Sequence, residues 1–243
     1  MPQLEKISAG DCVVAVMGLT GSGKTSFIAK ACNEGEEYIN PTLTSQKPNI
    51  RTFVTNHPRT NKRIVFVDTP GFDDTASSDT ETLTQISNWL YDAHNANAHL
   101  SAILYLHPIH ANRVARSARV NLEVFAALCG KSAMPNVILV TTMWDLVPQE
   151  VGEIRVEELK RRFWSDMLEC GGTTKPFRGT FESAWEILND LPKTGADLEI
   201  QKERKRGKSL HMTKAFSALN TGLLSKWIVD IREMFHKVGG EVD

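Results

Sequence analysis

Residues 18–25, Gly18-Leu-Thr-Gly-Ser-Gly-Lys-Thr25, match G-x-x-x-x-G-K-[ST] in full. The unbroken apolar run before them, residues 12–17 (CVVAVM), reads as a buried strand, and residues 24–32 read as a helix. A strand, a glycine-rich turn and a helix in that order make a cradle for phosphate. Backbone N–H groups must approach phosphate oxygens directly, so Gly18, Gly21 and Gly23 supply conformations that a side chain would obstruct. Thr20, Ser22 and Ser26 fall in or beside the same turn as further phosphate-contacting positions. Lys24 has the reach for β- and γ-phosphates, and the Thr25 hydroxyl suits Mg2+. The helix adds its positive amino-terminal end.

On either side of this turn, apolar strands alternate with helical patterns. Residues 50–55 and 63–67 (RIVFV) read as two strands paired through the turn-like NHPRTN, residues 56–61. Buried strands follow at 102–106 (AILYL) and 137–140 (VILV), with a short one at 173–177. Helical spacing covers 80–94, 114–128, 154–168 and 182–188, with Gly130 and Gly171-Gly172 as stops. Val/Ile/Leu strands separated by helices predict an α/β fold of three layers, a mostly parallel sheet with helices on both faces. Together with the phosphate loop this is the P-loop NTPase architecture, expected over residues 1–191. Residues 192–243 read as a separate piece. The run QKERKRGK, residues 201–208, carries five basic residues and one acidic one and reads as a solvated linker; a partner or membrane contact is the sharper alternative. Phe216, Leu219, Leu223, Trp227, Ile231, Phe235 and Val238 then recur at helical spacing, predicting an amphipathic carboxy-terminal helix.

Composition narrows the partners. The 28 Lys+Arg against 29 Asp+Glu leave a net charge of −1, which argues against nucleic acid and against an anionic membrane as bulk partners. Polyanion binding must therefore sit in a local site. No run reaches the roughly 18 apolar residues of a membrane span. The first eleven residues lack the layout of a secretory signal. Cys12, Cys32, Cys129 and Cys170 are widely spaced with no CxxC, so a reduced, cytoplasmic setting is the expectation.

Two further motifs complete the phosphate site. Asp68-Thr-Pro-Gly71 ends the strand RIVFV. There Asp68 suits Mg2+ through water and Gly71 offers an N–H to a γ-phosphate, although the tetrapeptide is also an ordinary turn. In the loop Asn40-Pro-Thr-Leu-Thr-Ser45, Thr44 is the first candidate and Thr42 the second for a hydroxyl that ligates Mg2+ only with γ-phosphate present. After VILV comes Thr141-Thr-Met-Trp-Asp145. A carboxylate accepts from both N1–H and N2–H2 of guanine, and adenine has no matching donor pair. Asp145 is thus the candidate base reader, flanked by Thr142 and Trp144; the plainer alternative is an acid at a helix start. Arg178-Gly179-Thr180 is placed as the loop behind the base, with Gly179 as its contact. Ser183-Ala184 is read as a helix surface.

The ordered set GLTGSGKT, a threonine-bearing loop, DTPG and TMWD resembles the GTPase superclass of P-loop proteins, over about residues 11–190. It looks most like the septin-like branch of septins, Toc GTPases and GIMAP GTPases. Residues 103–112 (ILYLHPIHAN) and the helix after them are similar to the corresponding septin strand and helix. The YLH and NR wording, residues 105–107 and 112–113, is similar to that of uncharacterised fungal G-domain proteins. Two departures stand out: Met143 replaces the usual lysine, and Lys6 alone represents the basic segment that precedes the loop in septins. The resemblance implies GTP as substrate, GDP and phosphate as products, Mg2+ as cofactor, and a homodimer or oligomer formed through the nucleotide face. It also implies slow intrinsic turnover, because Phe72 stands where Ras-like GTPases carry a water-orienting glutamine. An arginine or histidine offered across a dimer would compensate; Arg113, His107 and His110 are the candidates, or else ordinary loop polars. Two rivals stand beside this reading: a dimerising GTP-binding module with negligible hydrolysis, and an ATPase or small-molecule P-loop kinase.

Overall fold

Every residue of β1 (Cys12–Gly18) is buried, as happens when a strand has neighbours on both edges and helices on both faces. A computed structural model describes residues 7, 8, 10–35, 49–73, 77–111, 114–189, 191 and 195–221. In it β1 lies between β3 (Arg63–Asp68) and β4 (Leu100–Pro108), parallel to both. β5 (Val137–Thr142) and β6 (Thr173–Pro176) extend the sheet beyond β4, also in parallel. β2 (Arg51–Asn56) closes the other edge as the antiparallel partner of β3, the hairpin that the sequence predicts. The order β2-β3-β1-β4-β5-β6 sends the chain from β1 first to one side and later to the other. The carboxyl ends of β1 and β4 thus flank a topological switch point, where open α/β sheets bind ligands.

The helices in chain order are α1 (Lys24–Cys32), α2 (Asp79–Asn95), α3 (Arg116–Cys129), α4 (Gln149–Arg162), α5 (Ser165–Glu169), α6 (Phe181–Leu188) and α7 (Glu199–Lys205). Residues 214–221 begin a further helix, α8. Phe27 and Ile28 of α1 and Trp185 of α6 share one buried cluster with Val14, Phe66 and Leu104. The opposite sheet face, Ala15, Ile103 and Tyr105, packs against Leu83 and Leu90 of α2, Phe125 of α3 and Leu159 of α4. These are the expected three layers. Local signals fix the helix starts: Ser78 and Glu81 form a capping box on α2, and Thr180 and Ser183 form one on α6.

Three expectations change. The single helix expected over 154–168 begins at Gln149 and breaks after Arg162. Trp164 enters the core at 1 % exposure there, and its N–H and that of Phe163 both donate to the Leu159 carbonyl at 2.9 Å. Burial of one large ring outweighs continuation of the helix. Residues 201–208 are not a solvated linker. Gln201 is buried, its Nε2 donating to the Leu90 carbonyl at 2.8 Å while its Oε1 accepts from the Leu198 N–H at 2.7 Å. Glu203, also buried, pairs with Lys208 at 2.8 Å, and Leu198, Ile200, Leu210, Ala215 and Leu219 join the core of α2 and α3. Ser183 and Ala184 are buried rather than on a helix surface, because Ser183 closes the α6 cap. Of the amphipathic stripe, Phe216 and Leu219 pack on this core, whereas positions 223–238 lie outside the described residues.

Candidate nucleotide site

At the phosphate end the main chain of the 18–25 loop is packed closely against its surroundings. Gly18 has φ +141, and a Cβ there would stand 2.5 Å from the Leu106 carbonyl oxygen and 2.9 Å from Ser22 Oγ. Gly23, at φ +89, is the N-cap of α1 and carries no side-chain cap, and the first turn holds no acid. First-turn N–H groups have no partner inside a helix, so this end presents donors and positive dipole to the loop. Ser22 Oγ is buried without a hydrogen-bond partner among the described residues. The ammonium of Lys24, almost fully buried, donates to the carbonyls of Gly18 and Leu19 at 3.2 and 2.8 Å and so holds its charge over the loop. Uncapped donors, a fixed cation and an orphaned hydroxyl suit a phosphate chain.

Asp68 ends β3 beside this loop, with its Oδ2 3.5 Å from Thr25 Oγ1. A hydroxyl and a carboxylate oxygen are hard donors of the kind Mg2+ takes, so the residues fit that ion. Arg51, which the sequence reading did not single out, donates from Nη2 to Asp68 Oδ2 at 2.7 Å. The signal was available, since counting back from the hairpin turn pairs Arg51 with Asp68. Gly71 presses on the loop, where a Cβ would lie 2.4 Å from Thr20 Oγ1 and 2.6 Å from Thr20 N. The Thr20 N–H, expected as a phosphate donor, donates instead to the Phe72 carbonyl at 2.9 Å. Phe72 itself is 2 % exposed and belongs to the core with Met17 and Ile109. Thr42 and Thr44 lie outside the described residues.

The base end is assembled from the turns after β5 and β6. Thr142 Oγ1 donates to the Ser22 carbonyl at 2.9 Å and ties the two ends together. Met143 takes φ +60 at the turn, and Asp145 two residues on is exposed. Trp144, expected to touch nucleotide, is buried beneath the turn. Its Nε1 donates to the Thr141 carbonyl at 3.2 Å and to Thr141 Oγ1 at 3.1 Å. Gly152 of α4 admits the indole, since a Cβ there would fall 2.4 Å from Cζ3. On the ring lies the Arg178 guanidinium, 4.3 Å from the centroid, with Nη1 donating to Gln149 Oε1 at 2.6 Å. The Arg178-Gly179-Thr180 loop is thus joined to the TMWD turn, and Gly179, at φ +76, has open space on its Cβ side.

His107, expected to act from the nucleotide face, is buried at the end of β4 with its ring 6.0 Å from Trp164. Burial, with a smaller contribution from His110, pushes its pKa down to about 4, so it is neutral near pH 7. His110 is exposed and Arg113 lies outside the described residues. Arg155 was missed by the sequence reading, where it is one cation among many on a helix. Its Nη1 donates to the carbonyls of Ile109 and His110, both at 2.9 Å, and pins the turn that leads to Arg113.

The profile of a family described as "50S ribosome-binding GTPase" matches residues 13–142, more than half of the chain. Among solved structures, Toc33 from Arabidopsis thaliana in complex with Mg2+ and GMPPNP aligns with a TM-score of 0.54 at 17% identity, over 70% of this chain and 72% of that one. The same protein with GDP and Mg2+ gives 0.53 at 17%, over 71% and 72%. A structure from work on the importance of dimerization for the GTPase activity of the chloroplast translocon components atToc33 and psToc159 gives 0.54 at 14%, over 77% and 86%. At such identities the likeness shows a shared fold. No curated protein sequence matches the chain. With the phosphate loop, the Asp68 turn and the TMWD turn all inside or at the edge of the matched span, the chain belongs to the P-loop GTPase family that this profile describes.

Proposed function

We propose that this protein binds GTP with Mg2+ and hydrolyses it to GDP and phosphate, slowly alone and faster when two G domains meet across their nucleotide faces. The observation that carries the reading is Phe72. A buried phenyl ring in the core neither reaches nor orients an attacking water. The group that completes catalysis must come from elsewhere, and Arg113, which follows in sequence the turn held by Arg155, is our candidate for that group. Lys24 and the amino end of α1 bind the phosphates. Thr25 and Asp68 hold Mg2+, with Arg51 fixing the Asp68 carboxylate, and Thr44 adds a hydroxyl when γ-phosphate is present. Mg2+, when bound, neutralises charge on the β- and γ-phosphates. Gly71 gives its N–H to the γ-phosphate, and Asp145 reads the guanine edge.

The septin-like branch is the proposed placement within the family, supported by the order of motifs and by the fold shared with Toc33. The work that follows is nucleotide-regulated assembly, in a cytoplasmic setting to which four free thiols are suited. A contact of the carboxy-terminal segment with a membrane surface belongs to the same proposal. Single-turnover phosphate release, measured over a wide range of protein concentration, tests the reading. The rate per site should rise with concentration and fall back in Arg113→Ala. A rate that is slow and flat makes the protein a GTP-binding module instead. Release from ATP at the same rate as from GTP makes it an ATPase, against which the exposed Asp145 carboxylate speaks.

A further inference from the structure

At the end of the sheet remote from the nucleotide site, three side chains from three segments converge. His94 sits in the last turn of α2, His99 just before β4, and Asp197 just before α7. Asp197 Oδ1 lies 3.2 Å from His94 Nδ1 and 3.0 Å from His99 Nδ1, and the three atoms fall within 4.8 Å of one another. Gly18 lies level with Leu106, so β4 separates this cluster from the phosphate loop by about 20–25 Å, at ~3.3 Å per strand residue.

We propose that His94, His99 and Asp197 bind a divalent transition-metal ion of the Zn2+ class, which clips residues 195–205 to the ends of α2 and β4. Two imidazole nitrogens and one carboxylate oxygen favour Zn2+, Co2+ or Ni2+ over the hard cations of the nucleotide site. In a tetrahedral site with bonds of ~2.0–2.1 Å the donor atoms stand ~3.3 Å apart. Asp197 Oδ1 already stands near that edge from each imidazole nitrogen, and the two Nδ1 atoms, within 4.8 Å of each other, have the remaining edge to close. Three protein ligands leave a fourth position for water. The half-exposed His99 and Asp197 side chains, at 47% and 38%, give the ion a way in.

The frame is fixed independently of any ion. The Ala196 N–H donates to the Leu100 carbonyl at 2.8 Å, and a Cβ on Gly195 would stand 2.5 Å from His99 Cβ. His94 Nδ1 is buried and makes no well-directed hydrogen bond, its contact with Asp197 being off line. One neighbour opposes the site: Lys205 Nζ stands 3.5 Å from His94 Nε2. Ligation through Nδ1 moves the imidazole proton to Nε2, and the exposed Lys205 then turns to solvent. The ion strengthens the docking of α7, from which α8 and the rest of the carboxy-terminal segment continue.

The test uses the full chain, chelator-treated and then saturated with Mg2+ and GDP so that the nucleotide site is closed to competition. Calorimetric titration with Zn2+ should show one ion per chain, weakened at least about tenfold in His99→Ala and in Asp197→Asn. Zn2+ should raise the Tm of the native chain and leave that of either variant unmoved, while in chelator all three melt alike. Co2+ titrated into the native chain should give tetrahedral d–d bands without thiolate charge transfer, a result that does not depend on the variants folding. Binding only at millimolar Zn2+, affinity unchanged in both variants, or a thiolate band would overturn the proposal.

Discussion

A Cβ added at Gly71 would stand 2.4 Å from Thr20 Oγ1, whereas one added at Gly179 would meet nothing within 4 Å. In the proposed nucleotide site one glycine stands at the phosphate end and the other at the base end. At the phosphate end three main-chain segments press together, and a cation, a carboxylate and an uncapped helix converge on them. At the base end backbone links from the Phe177 N–H to the Thr141 carbonyl and from the Ile109 N–H to the Thr142 carbonyl are supplemented by the stack of Gly152, Trp144 and Arg178. Phosphate is the same in every nucleotide and tolerates a rigid cradle. A base must be selected, and selection rests on side chains that a few substitutions can retune.

If that contrast is right, Lys24→Ala has the largest effect. Loss of a buried cation from the phosphates costs about 2–5 kcal/mol, or roughly 30- to 5000-fold in GDP affinity, by fluorescent-nucleotide titration. The loss should show in nucleotide affinity far more than in the Tm of the nucleotide-free chain.

His107 probes the strand between the two ends. Its folded-state pKa lies below the unfolded value of about 6.5, so the unfolded chain binds the extra proton first as pH falls. Stability tied to this residue is intact above pH ~6.5 and is lost as pH drops toward 4, by on the order of 3 kcal/mol. His107→Phe should flatten that part of the Tm-against-pH curve, and an unchanged slope would contradict the burial argument.

Gly71→Ala against Gly179→Ala compares the ends directly. The first forces main chain apart and should cost about 1–3 kcal/mol of stability together with nucleotide affinity. The second strains only its own φ, about 1 kcal/mol, and should leave phosphate binding intact. Equal losses of GDP affinity would break the distinction. Smallest is Arg178→Ala, which removes an exposed stack worth ~0.5–1 kcal/mol and should weaken GDP two- to fivefold without changing inorganic phosphate binding.

The same contrast explains what could be read from the sequence. That Gly18, Lys24, Thr25 and Asp68 come together was legible because main-chain chemistry leaves few residue types at fixed spacing. The parallel sheet was legible because its strands are unbroken apolar runs. Arg155 was not, since the carbonyls of Ile109 and His110 that it holds lie far back along the chain; Arg51 was passed over although the hairpin register pairs it with Asp68. Trp144 was read as a ligand contact because nothing in TMWD tells a ring facing the base from a ring facing Gly152. The basic run 201–208 hid a buried face because that face is made of Gln201 and Glu203, polar residues whose hydrogen bonds are satisfied inside.

The central claim, that a guanine base is read by Asp145 at an adjustable end of a rigid phosphate cradle, is tested most directly by Asp145→Asn. Asparagine keeps an acceptor for N1–H but offers a donor where guanine has an amino group and xanthine has a carbonyl. Titration of the native chain and the variant with GDP, xanthosine diphosphate and ADP should show GDP affinity falling at least about tenfold and preference passing to xanthosine diphosphate. Unchanged GDP affinity, or tighter binding of ADP than GDP by the native chain, would contradict it.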